Sequence, residues 1–250
     1  MYALITGASS GIGRDIAVCL SKMGYNIILT GRNDIALNET AKLLKTDYKI
    51  IVCDLSNKSN CFDLYSQAKE YDIDILVNNA GFGIFGKFDE IDIDEQINMI
   101  NLNITALDIL LKLFLRDMKA KNSGYILNVS SSASFMPGPL LSTYYGSKAY
   151  VRRVTEAIYE ELRREKYNIH ISALCPGPVN TNFNNRAGVK FAMQGLSSEY
   201  VASYAVKKMF KHKLIIIPGL RMKLGCFFVR FVPTKLLLKL AYNFQKHKDS

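Results

Sequence analysis

Short runs of apolar, often β-branched residues alternate along the chain with longer segments in which apolar residues recur at helical spacing. The short runs predict strands over residues 2–6, 25–30, 48–52, 73–77, 125–129, 169–174 and 214–217. Most of these runs lack polar alternation, which is typical of strands covered by helices on both faces. The longer segments predict helices over residues 11–23, 33–46, 59–71, 93–120, 144–166 and 198–211. This order of elements predicts a single α/β domain built on a doubly wound parallel sheet.

The charge of the chain is unevenly distributed. Residues 1–205 contain 21 Lys and Arg against 21 Asp and Glu, whereas residues 206–250 contain 11 basic residues against the single acid Asp249. The whole net charge of +10 therefore lies on the C-terminal segment. This distribution argues against a nucleic-acid surface across the fold. We assign residues 1–219 to the main domain and residues 220–250 to a basic C-terminal extension of it.

The C-terminal extension has the pattern of two amphipathic helices separated by Pro233. The apolar face of the first helix consists of Leu220, Leu224, Phe227, Phe228 and Phe231, and that of the second of Leu237, Leu240, Ala241 and Phe244. Basic residues lie mostly outside these faces, as in helices that bind a membrane surface. A helical flap over an apolar pocket and a subunit contact would have the same pattern. Peripheral membrane contact through residues 220–246 is therefore one of three interpretations.

Cysteines and apolar stretches bear on the cellular compartment. The five cysteines are odd in number and scattered, which favours reduced thiols over a disulfide framework. Residues 1–6 lead directly into the first strand without a charged segment or cleavage site typical of a secretory signal. No run reaches the roughly 18 uninterrupted apolar residues of a membrane span. We expect a cytoplasmic protein, with membrane association open.

The turn after the first strand is rich in glycine and serine. Its candidate cofactor-binding residues are Gly7, Ser9, Ser10, Gly11, Ile12 and Gly13. Glycines at such a turn let the backbone approach a pyrophosphate, which then lies at the N-terminus of the following helix. The position, after a strand and before a helix, makes a dinucleotide site the favoured interpretation.

The end of the second strand selects between nicotinamide cofactors. An acidic residue there would bind ribose hydroxyls, whereas an arginine would bind the 2′-phosphate of NADP(H). This chain has Gly31 followed by Arg32, whose guanidinium suits a phosphate. The sequence therefore predicts NADP(H) as the cofactor. Arg14 is a further candidate for positive charge, although it is as easily a helix-face residue.

Four motifs in order resemble the compact single-domain short-chain dehydrogenase/reductase family, which has a Rossmann fold. They are the glycine turn, Asn79-Ala80-Gly81 after the fourth strand, the set Ser131, Tyr144 and Lys148, and Pro176-Gly177-Pro178-Val179 with Thr181. The resemblance spans residues 6–181. It implies that Asp54 contacts the adenine and that Asn79, Ala80, Gly81, Pro176, Gly177, Val179 and Thr181 contact the cofactor.

The same resemblance implies an oxidoreductase that transfers hydride between NADP(H) and a carbonyl or alcohol. Tyr144 would be the general acid or base and Lys148 would bind the nicotinamide ribose. Their spacing places both on one helix face, where the ammonium of Lys148, together with the positive nicotinamide of NADP⁺, should lower the pKa of the Tyr144 phenol. Ser131 would bind the substrate oxygen. Asn103 would hold a water behind the lysine.

Each of these catalytic residues has a neighbour that competes for its role. Tyr145 lacks a lysine four residues later, since residue 149 is alanine. Asn101 is close to Asn103, but Asn103 is the one directly followed by the Ile-Thr-Ala segment that aligns with the family. Strand pleating should turn Ser130 and Ser132 away from the face that Ser131 occupies.

The substrate and partners are less well determined by the sequence. The loop 135–141 is apolar, and so are Phe183, Phe191, Met193 and Leu196, which favours a lipophilic ketone or aldehyde and its alcohol. A 3-oxoacyl thioester on an acidic carrier is an alternative, because the pairs Arg152-Arg153 and Arg163-Arg164 could contact the carrier. A noncatalytic NADP(H)-sensing or scaffold protein is another.

The sequence also supports expectations about the oligomeric state and about metal binding. The resemblance implies a homodimer or homotetramer, formed through the helices near residues 93–120 and 144–166. We expect no metal site, because His170, His212 and His247 have no ligand spacing with another His or Cys.

Overall fold

The computed structural model describes residues 1–181 and 195–246. Several residues that the sequence analysis singles out lie outside these ranges, namely Phe183, Phe191, Met193, His247 and Asp249. The side chain of Phe244 is also outside the description.

The central sheet contains the seven strands predicted from the sequence, all parallel. The strands of the chain, in order, are β1 Tyr2–Thr6, β2 Asn26–Gly31, β3 Tyr48–Val52, β4 Ile73–Asn78, β5 Gly124–Val129, β6 Ile169–Leu174, β7 Val179–Asn180, β8 Leu196–Ser197 and β9 Ile215–Ile216. The order across the sheet is β3-β2-β1-β4-β5-β6-β9, and β7 pairs with β8 separately. The prediction of a doubly wound Rossmann sheet is confirmed.

Helices cover both faces of the sheet. They are α1 Gly11–Lys22, α2 Asp34–Ala41, α3 Lys58–Ala68, α4 Ile93–Ile100, α5 Leu107–Lys121, α6 Ser142–Arg164, α7 Ser198–Met209, α8 Leu220–Phe228 and α9 Thr234–Lys246. Strand residues alternate between two buried layers. Leu4 and Ile28 pack in the layer that contains α3, α5 and α6, whereas Ala3 and Ile27 pack in the layer that contains α1, α2 and α7.

One predicted helix is shorter than expected. The prediction of a helix over residues 33–46 is wrong after residue 41, where α2 ends. The amides of Lys45 and Thr46 bond instead to the hydroxyl of Ser21 in α1, at 2.6 and 3.2 Å. A side chain of another helix therefore holds this segment out of helical geometry.

The helix of residues 93–121 is continuous but changes pitch. Residues 101–106 form a π-helical turn between α4 and α5. By length and composition alone this helix could cross a membrane. Leu110, Leu111 and Phe114 are, however, buried against the sheet, so the apolar stripe serves the core. π-Helical turns occur often at functional sites.

Candidate active site

A cavity of about 750 Å³ opens at the carboxyl ends of the central strands. This position and volume are typical of ligand sites in α/β sheets. Every candidate site residue from the sequence lines it except Gly13 and Asn103. The lining candidates are Gly7, Ser9, Ser10, Gly11, Ile12, Arg32, Asp54, Asn79, Ala80, Gly81, Ser131, Tyr144, Lys148, Pro176, Gly177, Val179 and Thr181.

The glycine turn joins β1 to α1 in a conformation that requires glycine. Gly7 and Gly11 have φ angles of +65° and +56°, which L side chains rarely adopt. A Cβ on Gly11 would lie 2.9 Å from Cγ2 of Thr181. The turn therefore keeps its backbone close to the cavity and leaves the first turn of α1 facing it, which suits a pyrophosphate.

Asn79 and Gly13 support this turn from behind. The Nδ2 of Asn79 donates hydrogen bonds to the carbonyls of Thr6 and Gly7, at 2.9 and 3.0 Å. A Cβ on Gly13 would collide with Asn79 Nδ2 and the Gly7 carbonyl oxygen. The predicted cofactor contact of Gly13 is not supported, because this glycine packs α1 against the turn outside the cavity.

The end of β2 places the guanidinium of Arg32 at the cavity. Arg32 lines the cavity with Ser9, and a Cβ on Gly31 would be in ordinary contact, 3.7 Å from the Ser9 hydroxyl. Arg32 Nη1 lies 3.6 Å from Asp54 Oδ2, with both side chains nearly half exposed. Asn33, by contrast, accepts from the Ala36 amide and caps α2. Of these groups, the guanidinium is the one that suits a phosphate.

The carboxylate of Asp54 is held in its charged form. Burial by itself would raise the pKa of Asp54, but hydrogen bonds from Ser56 and the charge of Arg32 outweigh burial and lower it. Arg14 lies away from the cavity lining and pairs with Asp15 at 2.8 Å. Its possible role beside the phosphate is therefore unsupported.

Tyr144 and Lys148 project from α6 towards the end of β5. The Nζ of Lys148 donates to the carbonyl of Val129 at 2.9 Å and lies 6.0 Å from the centroid of the Tyr144 ring. Ser131 follows β5 and hydrogen-bonds to Tyr144. The structure thus brings the three predicted catalytic residues together at one wall of the cavity.

The pKa values of this cluster follow from its burial. Burial raises the pKa of Tyr144 to about 12, and the hydrogen bond with Ser131 opposes that shift. Burial lowers the pKa of Lys148 to about 8. The expectation that Lys148 lowers the pKa of Tyr144 is not met by the protein's own groups, because desolvation dominates.

The three consecutive serines have different surroundings. The Oγ of Ser130 donates to the carbonyl of Lys148 at 2.7 Å and is buried. Ser131 accepts from the Ala133 amide at 3.1 Å. Ser130 and Ser132 also line the cavity, contrary to the pleating argument, because β5 ends at Val129 and a 3₁₀ turn begins at Ser132. The contact with Tyr144 distinguishes Ser131.

Asn103 lies in the π-helical turn, behind the cavity wall. Its side chain is 1% exposed and makes three hydrogen bonds. Oδ1 accepts from the Phe82 amide at 3.0 Å, and Nδ2 donates to the Phe82 carbonyl at 2.9 Å and to Ser147 Oγ at 3.0 Å. A Cβ on Gly81 would lie 2.8 Å from Asn103 Oδ1 and 3.3 Å from Lys148 Nζ. Asn103 therefore holds the loop after β4 beside the lysine.

Much of the remaining cavity wall is apolar. Phe135, Met136 and Leu141 line it, as the loop composition predicted. The C-terminal helices add further apolar residues, namely Met222, Cys226, Val229, Leu237, Leu240 and Ala241. The sequence pattern allowed a flap as one interpretation but did not select it.

Gln245 is a cavity residue that the sequence analysis missed. Its side chain is 1% exposed, and among the described residues its amide oxygen and nitrogen have no hydrogen-bond partner. It lies four residues after Ala241, on the same side of α9. A glutamine that continues an apolar stripe is the signal that could have identified it.

Comparisons with known proteins agree with this geometry. Residues 1–199 match the short chain dehydrogenase family. An uncharacterized oxidoreductase of Staphylococcus epidermidis is 35% identical over 181 residues, 72% of this chain and 78% of that protein. The 3-oxoacyl-[acyl-carrier-protein] reductase of Rickettsia prowazekii is 34% identical over 191 residues, 75% of this chain and 76% of that protein.

Solved structures share the fold. A short-chain dehydrogenase from Sphingobium yanoikuyae in complex with NADPH has a TM-score of 0.83 at 26% identity, covering 90% of this chain and 91% of that one. A short-chain dehydrogenase/reductase from Burkholderia phymatum in complex with NAD also has a TM-score of 0.83, at 23% identity, covering 91% and 92%. Both nicotinamide cofactors thus occur among structures of this fold.

Proposed function

Because this chain belongs to the short chain dehydrogenase family and is an oxidoreductase, we propose that it uses NADP(H) to interconvert a lipophilic ketone or aldehyde and its alcohol. The observation that carries this proposal is the position of Ser131, Tyr144 and Lys148. These residues line one cavity together with a glycine turn suited to a pyrophosphate and several apolar side chains. A noncatalytic sensor or scaffold would have no need of this cluster.

A bound nicotinamide supplies or accepts the hydride. The hydroxyl of Tyr144 donates a proton to the carbonyl oxygen during reduction, and Ser131 donates a hydrogen bond to the same oxygen. With a pKa raised to about 12, Tyr144 is protonated at neutral pH, which suits the acid role in reduction. Lys148, largely protonated below its pKa of about 8, provides positive charge at this wall and binds the ribose hydroxyls.

The preference for NADP(H) is supported by the groups at the end of β2. Arg32 and Ser9 both line the cavity beside Gly31. A 2′-phosphate there would gain a charged partner and displace little protein. The strand ends at Gly31 rather than at the acidic residue that would bind the ribose hydroxyls of NAD(H).

The proposal of a lipophilic substrate is supported by the part of the cavity wall that the C-terminal helices α8 and α9 and the turn between them supply. Met222, Val229 and Leu237 contribute apolar surface there. Gln245, buried in the same lining, offers one donor and one acceptor to a polar group on the substrate. We therefore expect an apolar carbonyl compound with a second hydrogen-bonding group.

Reduction of a 3-oxoacyl thioester is the second candidate, favoured by the similarity to the Rickettsia reductase. The arginine pairs expected to bind an acidic carrier are engaged within the protein, however. Arg152 and Arg153 each bond to Glu156 at 2.8 Å, and Arg163 and Arg164 bond to Glu160 at 2.7 and 2.8 Å. This pairing weakens the argument for a carrier at these positions.

We also propose a cytoplasmic homodimer or homotetramer. Leu107, Leu110 and Phe114 of the predicted interface helix face the protein's own sheet. Ile93, Ile97 and Tyr150 remain exposed on α4 and α6 and are available to a second copy. The α4–α5 and α6 surfaces are therefore the proposed subunit contact.

The experiment that tests the function is a turnover screen of the purified full chain with NADPH and with NADH. Substrates should include long-chain ketones, steroid ketones, 3-oxoacyl thioesters and aldose sugars. We expect NADPH oxidation with lipophilic carbonyls at a higher kcat/KM than with sugars or with NADH. Preferential turnover of sugars would contradict the substrate class, and preference for NADH would contradict the cofactor.

A further inference from the structure

Helix α8 and the turn after it expose apolar side chains to solvent. The outer C-terminal face, as we call it, consists of Leu220, Leu224, Phe227, Phe228 and Phe231. Leu220, Phe228 and Phe231 are 73%, 59% and 67% exposed. The opposite side of the same segment lines the cavity through Met222, Cys226 and Val229. The apolar face predicted from the sequence is therefore turned away from the protein.

The three phenylalanines of this face form one cluster. The ring centroid of Phe227 lies 5.3 Å from that of Phe228 and 5.5 Å from that of Phe231. The guanidinium carbon of Arg230 lies 4.9 Å from the Phe227 centroid. Contiguous exposed apolar residues of this kind mark sites of protein or membrane contact.

The charges of the C-terminal segment that carries this face have one sign. Residues 220–246 contain six basic residues and no acid. They are Arg221, Lys223, Arg230, Lys235, Lys239 and Lys246, and all six are exposed. Within residues 1–181 and 195–246, none of the six forms a salt bridge. Elsewhere in the protein the arginines of α6 are paired with glutamates.

We propose that the outer C-terminal face binds the surface of an anionic lipid membrane. Such a surface accepts phenylalanine and leucine side chains at its acyl boundary and attracts lysine and arginine with its headgroups. A second copy of the same face would bring six positive charges against six more, which disfavours self-association. An anionic membrane suits both features, the exposed apolar residues and the cations that form no salt bridge with any residue that the structure describes.

Membrane binding also bears on the proposed function, on which this step rests. The segment of α8 and its following turn carries this face on one side and cavity-lining residues on the other, so a docked enzyme holds its apolar cavity one helix away from the bilayer. Docking would therefore bring the cavity close to lipophilic ketones dissolved in the bilayer. Binding itself requires no activity, so its test stands apart from that of the proposed function.

The test is sedimentation of the full chain with vesicles. One set contains phosphatidylcholine with 30% phosphatidylserine, on the order expected for anionic leaflets, and the other contains phosphatidylcholine alone. We expect binding to the anionic vesicles at low salt and release as salt screens the charges. Failure of the wild-type protein to sediment with the anionic vesicles would overturn the proposal.

Two pairs of variants distinguish binding through this surface from nonspecific binding. K223Q/K235Q/K239Q should weaken binding at least tenfold, since each basic residue near an anionic surface contributes about fivefold. K45Q/K49Q/K58Q removes the same charge from exposed lysines elsewhere and should bind like wild type. F231S should weaken binding about tenfold, whereas F88S, at a residue 63% exposed, should not.

The control variants decide between explanations. Equal losses in K45Q/K49Q/K58Q and K223Q/K235Q/K239Q would show nonspecific attraction and overturn the proposal. A fall in oligomer mass in F231S, together with no vesicle binding by wild type, would assign the face to a second copy. NADPH turnover of a water-soluble ketone should remain unchanged in F231S, because Phe231 does not line the cavity.

Discussion

Replacement of Asn103 by alanine should destabilise the protein and disturb the active site together. The Asn103 side chain is 1% exposed and makes two hydrogen bonds to the backbone of Phe82 and one to Ser147. Alanine would remove both bonds from the buried Phe82 backbone. Ser147 would keep its bond to the carbonyl of Tyr144, at 2.7 Å.

The size of the expected loss of stability follows from the two backbone groups of Phe82 that lose a hydrogen bond to Asn103. A buried polar group deprived of its partner costs about 1–3 kcal/mol, so the two together cost about 2–6 kcal/mol. For a protein of this size, each kcal/mol lowers Tm by roughly 2–4 °C. We therefore expect Tm to fall by at least about 4 °C. We also expect kcat to fall, because Asn103 holds the Gly81 loop beside Lys148.

Asn101 provides the matched control. It lies in the same π-helical turn, and none of its side-chain atoms makes a hydrogen bond within the described residues. Urea unfolding of N103A and N101A, followed by circular dichroism, gives both free energies of unfolding by linear extrapolation. N101A should change that free energy by less than about 1 kcal/mol. Equal stability of the two variants would refute the role that we assign to the Asn103 bonds.

Three further predictions concern single groups. R32A should raise the KM for NADPH about tenfold or more, since a charged hydrogen bond is worth about 1.5–3 kcal/mol, while the KM for NADH stays nearly constant. Equal rises would mean that Arg32 is structural. Burial and the stacked His212, whose ring centroid is 3.4 Å away, lower the pKa of His170. The unfolded chain then binds more protons, so stability should fall as pH drops below about 6.5, measured by urea unfolding at pH 7.5 and 5.5. H212N should reduce that loss, and an unchanged loss would contradict the pairing. Q245L should lower kcat/KM for ketones with a distal hydroxyl about tenfold relative to ketones without one, and an equal effect on both would exclude a polar contact.

The sheet and the glycine turn were predictable because their signals are local. Apolar runs located all seven strands of the sheet, and the spacing of Gly7, Gly11 and Gly13 located the turn. The family resemblance brought Ser131, Tyr144 and Lys148 to one cavity wall, where the structure places them. The sequence could assign Gly13 to the turn but not to its packing behind Asn79.

The features that the sequence did not determine depend on contacts between distant elements. The end of α2 depends on Ser21 in another helix. The raised pKa of Tyr144 depends on burial by the whole fold, which a lysine four residues away does not reveal. A helical wheel of the sequence showed that α8 has an apolar face. Only the tertiary structure shows that this face points outward and that Met222 and Cys226 line the cavity.

The most direct test of the catalytic assignment compares Y144F with Y145F. Both tyrosines line the cavity, but only Tyr144 bonds to Ser131 and lies beside Lys148. Loss of general acid catalysis lowers rates by about 10²–10⁴-fold. We therefore predict that the kcat of Y144F is lower than that of wild type by a factor in this range, while its affinity for NADPH is nearly unchanged. Y145F should retain most of its activity. A kcat for Y144F within about threefold of wild type would contradict the account.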